Sequence, residues 1–101
     1  MDRKVRWSPE ALEDVDSIAQ YIARDSQFYA RATVSKILDF SRSIAKFPQM
    51  GRIVPEFNDK TIRERLVYSY RLVYKIEHAG ILIVAVIHDK RLFNSISGRF
   101  A

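Results

Sequence analysis

Arg71 and His88 are the side chains whose types and surroundings suit chemistry best in this chain of 101 residues. Arg71 interrupts the apolar segment Ser69-Tyr70-Arg71-Leu72-Val73-Tyr74-Lys75-Ile76. His88 ends the apolar run that starts at Ile81, and Asp89, Lys90 and Arg91 follow it directly. An unpaired guanidinium inside a half-buried strand is costly. Arg71 is therefore expected to aim outside the fold, at a phosphate or an acidic partner. The alternative is an exposed arginine or an ion pair with an internal carboxylate such as Glu64. An imidazole exchanges protons near neutral pH, although a histidine at a strand end is often structural. Lys90 and Arg91 read equally as a phosphate-steering pair or as solvated loop cations. His78 falls in a turn and has no assigned role.

Other chemistries find little support. The two histidines are far apart in the pattern and no carboxylate cluster accompanies them, so no metal site is expected. Gly51, Gly80 and Gly98 are isolated, so no glycine-rich phosphate loop exists and no cofactor is expected. No Ser-His-Asp arrangement can be argued from spacing.

The elements that must position Arg71 and His88 are legible from periodicity. Lys4 to Trp7 alternates and reads as a short strand. Ser8, Pro9 and Glu10 then supply an N-cap, a first-turn proline and a charge matched to the helix dipole. Leu12, Val15, Ile18, Ala19 and Ile22 form the inner stripe of this helix, with Glu13, Asp14, Asp16 and Gln20 outside. Ser26 caps a second helix running to about Phe47, with Ala30, Val34, Ile37, Leu38, Ser41, Ile44 and Ala45 inside. Pro48 stops it, and residues 52–60 read as a loop. Three strands follow, at 61–67, 70–76 and 81–88, joined by hairpin-length turns. Residues 94–101 form a weakly patterned tail. The expected architecture is α+β: an N-terminal strand, then an antiparallel two-helix hairpin packed on one face of an antiparallel sheet, all in one domain over residues 1–101.

A turn that pairs Ile76 with Ile81 sets the register of the last hairpin. With unbroken pairing, Arg71 opposes Val86 and shares a face with His88 and Lys75. Tyr70, Leu72, Tyr74 and Ile76 then join Ile81, Ile83, Ala85 and Ile87 on the core side. A slip of one residue would separate Arg71 from His88. On this reading the face bearing Arg71 is uncovered.

Composition bounds the setting. The net charge is +5, and it is concentrated in the second half: residues 51–101 carry nine Lys and Arg against five Asp and Glu. Such an excess favours phosphate polymers or acidic proteins as partners. Cysteine is absent, which excludes disulfides and suits a reducing compartment. No apolar leader follows Met1, and the longest apolar run, Ile81 to Ile87, is strand length. A cytoplasmic location without membrane contact is expected.

Five segments carry a family resemblance: Trp7-Ser8-Pro9-Glu10-Ala11, Phe47-Pro48-Gln49-Met50-Gly51-Arg52, Ile62-Arg63-Glu64, Ser69 to Tyr74, and Val86 to Arg91. In order and spacing they resemble the RelE/ParE superfamily of bacterial type II toxins, plasmid stabilisation proteins held in check by labile acidic antitoxins. The resemblance spans residues 5–92. It implies a toxin with a cognate acidic antitoxin. It also implies one of two targets: mRNA on the ribosome, cut by RelE-like members, or DNA gyrase, poisoned by ParE-like members without nuclease chemistry.

Tyr70 to Tyr74 is similar to the RelE strand that carries a catalytic arginine, and Lys90-Arg91 to that group's second basic motif. The opening Trp7 to Ala11 and the turn Phe47 to Arg52 look ParE-like. RelE-type enzymes often carry a tyrosine near the C-terminus, whereas this tail has Phe93 and Phe100. If the chain is a metal-independent endoribonuclease, the resemblance implies that His88 moves protons between the RNA 2′-hydroxyl and the leaving oxygen. Arg71 and Arg91 stabilise the phosphorane, and Lys75 and Lys90 steer RNA. Because Arg71 and His88 are expected to share a face, ribosome-dependent mRNA cleavage is the expected activity. Gyrase inhibition is the alternative. A plain RNA-binding module fits less well, because the face lacks interleaved stacking aromatics.

Overall fold

The computed structural model describes residues 3–88 and 96–100. Chain order is β1 (Lys4–Trp7), α1 (Pro9–Ala23), α2 (Gln27–Lys46), a 3-10 turn (Pro48–Met50), β2 (Arg52–Ile53), β3 (Ile62–Val67), β4 (Tyr70–Ile76), β5 (Gly80–His88) and a second 3-10 turn (Ser97–Phe100). The five strands form one sheet in the order β1-β5-β4-β3-β2. All neighbours are antiparallel except β1, which runs parallel to the first half of β5.

Both helices start where their caps dictate. Ser8 Oγ accepts from the Ala11 N–H at 3.1 Å, and Ser26 Oγ accepts from the Tyr29 N–H at 3.1 Å. Their buried faces differ in detail from the expected stripes. Ala11 is fully buried whereas Leu12 is 55% exposed, and on α2 Thr33 is buried whereas Leu38 lies in the exposed class. Asp14, expected outside, is turned toward the sheet and half-buried. Residues 52–60 are also not wholly loop, since Arg52 and Ile53 pair with Glu64 and Arg63.

The helices cover one sheet face. Ala11, Ile37 and Ile44 pack there on Leu72, Tyr74, Ile81, Ile83 and Val86. The other face is covered too, against expectation. Val54 and Phe57 from the β2–β3 connection join Ile96 and Phe100 in closing over Ile62, Val73, Ala85 and Ile87. The segment at 96–100, which reads as a weak tail, thus supplies the lid of a second small core.

Two turns show close backbone fits. Gly80 faces β1 so tightly that a Cβ there would lie 2.4 Å from the Lys4 carbonyl oxygen. The two-residue turn between β3 and β4 puts Tyr68 at φ 55°, a left-handed conformation that is uncommon for an aromatic residue.

Candidate functional site

The β4–β5 register decides the geometry around Arg71 and His88. Ile76 pairs with Ile81, as the turn dictates, and Tyr74 with Ile83. The ladder then shifts: Val73 faces Ala85, Leu72 faces Val86, Arg71 faces Ile87 and Tyr70 faces His88. Val84 is the extra residue of a β-bulge. Beyond it every β5 side chain changes face. Ala85 and Ile87 leave the helix side for the second core, and Val86 takes their place against the helices. Arg71 and His88 therefore lie on opposite faces, which corrects the shared face expected from unbroken pairing.

The bulge is held by groups from both ends of the chain. Ser8 Oγ donates to the Val84 carbonyl at 3.3 Å, and Arg99 Nη1 donates to the same oxygen at 3.2 Å. The Val86 N–H donates to Asp14 Oδ2 at 3.0 Å, and Arg99 Nη1 reaches that carboxylate at 2.7 Å. β1 stops pairing at Ile83, so the backbone groups freed there find side-chain partners instead.

Arg71 sits in an ion network on the second face. Its Nη1 lies 2.9 Å from Glu56 Oε2 and 3.5 Å from Glu64 Oε1. The Glu64 side chain is wholly buried and takes a 2.5 Å contact from Arg52 Nε. Only 13% of the Arg71 side chain meets solvent. Pairing with Glu64 is thus the alternative that the structure realises. Lys75 shares this face by alternation along β4 and stands opposite Ile62 and Leu82. Glu56 and Arg52, both read as loop residues in the sequence, complete the network. The only sequence signal for them was that a buried carboxylate at Glu64 requires cationic partners.

His88 is exposed on the helix side. Its ring meets Tyr70 edge-on, with centroids 5.8 Å apart and planes at 83°. It opens into a groove of about 630 Å³ that Glu13, Ser17, Tyr21, Tyr68 and Tyr70 also line. Burial, followed by the nearby Tyr21 phenol, pushes the Tyr70 hydroxyl above its ordinary value. Lys90 and Arg91 lie outside the described residues. Among the described residues no group of three or more His, Asp or Glu side chains is arranged to hold a metal ion, and no helix is long and apolar enough to cross a membrane.

The ParE toxin model of type II toxin–antitoxin systems matches residues 5–93. The chain belongs to this toxin family. The match takes in both helices and the sheet from Val5 onward and leaves the 97–100 turn outside it. Toxin RelE2 of Caulobacter vibrioides is 29% identical over 90 residues, covering 88% of this chain and 98% of that protein. Solved relatives share the ParE-type fold at lower identity. A chain of the chromosomal ParDE system of P. aeruginosa superposes with a TM-score of 0.70 at 16% identity, over 85% of this chain and 95% of that one. One from the toxin–antitoxin complex RelBE2 of Mycobacterium tuberculosis gives 0.62 at 18%, over 87% and 99%. The YoeB dimer of Staphylococcus aureus gives 0.60 at 21%, over 87% and 98%. The protein is thus a RelE/ParE-family toxin of a type II system, with two helices on a five-stranded, mostly antiparallel sheet.

Proposed function

We propose that this toxin acts as a ParE-like inhibitor of DNA gyrase, without nuclease chemistry, and that an acidic cognate antitoxin neutralises it. One observation carries the choice of target. Phosphorane chemistry needs its proton-transfer group and its cation within reach of one phosphate, whereas Arg71 and His88 occupy opposite faces of the sheet. Arg71 is also engaged by Glu56 and the buried Glu64, so its charge is already matched. The family match to ParE supports the same reading, and relatives solved as ParDE, RelBE2 and YoeB–YefM systems support an antitoxin partner.

Ribosome-dependent mRNA cleavage is the second reading, favoured by the groove in which the His88 imidazole sits beside Tyr21, Tyr68 and Tyr70. In that reading His88 exchanges protons, Arg91 stabilises the phosphorane and Lys90 steers RNA. Arg71 and Lys75 then serve the fold from the other face. Two assays of the purified toxin, run side by side, decide between the readings. Gyrase supercoiling should fail and broken DNA should accumulate, while primer extension on translated mRNA shows no new ends. Ribosome-dependent cleavage with normal supercoiling would overturn the proposal.

A further inference from the structure

The turn that closes α2 holds two large apolar side chains out in solvent. Phe47 and Met50 are each 60% exposed. They line a cavity of about 600 Å³ whose floor includes Pro48 and Ile76 and whose rim carries Arg3 and Lys46. Among the described residues no carboxylate lines it.

This turn is firmly built. The buried Tyr74 hydroxyl donates to the Pro48 carbonyl at 2.5 Å and accepts from the Gly51 N–H at 3.1 Å. Arg63 Nη1 donates to the carbonyls of Gln49, at 3.3 Å, and Gly51, at 3.0 Å. A Cβ at residue 51 would lie 2.4 Å from the Tyr74 hydroxyl, so only glycine lets the turn seat this deeply. Arg65, stacked 4.6 Å from the Phe40 ring centroid, contacts Met50 Sδ at 3.0 Å. The Arg3 N–H donates to the Ala45 carbonyl at 3.0 Å and fixes the start of β1 against the end of α2. These hydrogen bonds thus hold the turn in place, with Phe47 and Met50 left largely exposed among the described residues. A preorganised apolar pocket with charged edges loses little freedom on binding.

We propose that the Phe47–Met50 turn is a docking pocket for an acidic peptide segment, which inserts one large apolar side chain between Phe47 and Met50 while its carboxylates meet Arg3 and Lys46. Rim charge selects an acidic partner. The floor of thioether, proline and isoleucine surface suits an aliphatic or aromatic side chain, and methionine adapts to its shape. A single aromatic ring is a poor platform for successive bases, which disfavours single-stranded nucleic acid. That the segment belongs to the antitoxin rests on the partner proposed above; the pocket itself does not.

The test is fluorescence polarisation with the full chain and a labelled short peptide in which one leucine stands among Glu and Asp. The controls are the same peptide with leucine replaced by serine, its Lys-substituted counterpart, and a single-stranded DNA of matching charge. The acidic leucine peptide should bind, and each control should bind at least ~10-fold more weakly, as expected for losing one buried anchor or the charge match. Phe47→Ala and the double variant Arg3→Glu, Lys46→Glu should each weaken binding by a similar factor. These residues are exposed or on the rim, so thermal unfolding should stay close to that of the parent and confirm intact variants. No binding of the acidic peptide, equal binding of the serine peptide, undiminished binding by the variants, or tighter binding of the DNA would each overturn the proposal. Gyrase and translation assays read the toxin's target independently. A protein inactive in the gyrase assay that still takes the peptide separates failure of that reading from failure of this one.

Discussion

Arg71 and Glu64 form a buried charge pair between diagonal positions of β4 and β3, at 3.5 Å, with the Glu64 side chain wholly out of water. Removing one partner of such a pair leaves a buried charge short of compensation. Arg52 still holds Glu64 at 2.5 Å, which softens the loss. Arg71→Ala is expected to cost about 2–4 kcal/mol, read as a lower urea midpoint, with Arg71→Lys in between. An Arg71→Ala protein as stable as the parent would show that the network does not stabilise the fold.

The bulge predicts the effect of a deletion. Removing Val84 takes out the extra residue and joins two runs of regular pairing, Tyr74 with Ile83 and Val73 with Ala85, so Ala85 to His88 keep their faces. Both cores keep their side chains, and the loss is confined to the local twist and to the hydrogen bonds that the Val84 carbonyl accepts from Ser8 and Arg99. The Val84 deletion should therefore fold, with a dispersed amide spectrum and a stability lowered by about 1–3 kcal/mol. A deletion variant without dispersed amides would show that the fold requires the bulge itself.

Tyr74 links stability to alkaline pH. Burial raises its hydroxyl above the ordinary value of 10.0, against the opposing effects of the Gly51 N–H and of Arg63 and Arg65. The fold therefore favours the neutral phenol. Its contribution is complete below the ordinary value and is lost as pH climbs through the raised one. Tyr74→Phe should cost about 1–2 kcal/mol at neutral pH, because two hydrogen bonds vanish. It should also reduce the loss of stability seen between neutral pH and strongly alkaline buffer. Parallel stability–pH curves for the two proteins would contradict this.

Asp14 serves two donors, the Val86 N–H at 3.0 Å and Arg99 at 2.7 Å. Asp14→Ala strands the Val86 N–H, leaves Arg99 to its bond with the Val84 carbonyl, and should cost about 1–3 kcal/mol. Hydrogen exchange at the Val86 amide should accelerate, and so should exchange at 97–100. Unchanged protection at Val86 would mean that the carboxylate is dispensable to the bulge.

His88→Gln separates the two targets. On the gyrase reading the variant keeps its inhibition of supercoiling, since no proton moves. On the cleavage reading it loses mRNA cutting by about 10²–10⁴-fold. Loss of gyrase inhibition in a folded variant would place the imidazole at the gyrase contact.

Much of the fold is legible because local signals agree with it. Ser8-Pro9 and Ser26 start the helices where they are observed, Pro48 stops the second, and the short turns impose the meander. The bulge is hidden for a physical reason. Ile83, Val84, Ala85, Val86 and Ile87 are all apolar and both sheet faces are buried there, so no polar residue marks the change of face. Lids escape notice for a related reason. Phe57, Ile96 and Phe100 are single large residues in otherwise polar stretches, without a period to betray them. The candidate site depended on register, and one extra residue was enough to divide it. Glu64 was the exception, since a carboxylate within a strand implies a buried cation nearby.

The parallel seam between β1 and β5 also has a consequence in time. It joins residues 4–7 to 80–83, so the first strand made waits for nearly the last one before it has a partner. Closing so long a loop is entropically slow. The helix hairpin and the β3–β4–β5 meander involve only near neighbours and are expected to form first, with β1 docking late. Substitutions in β1, such as Val5→Ala, should then accelerate unfolding more than they retard folding. During synthesis, the growing chain has no complete sheet until β5 has emerged, and so lacks its finished surface for most of the time it takes to make.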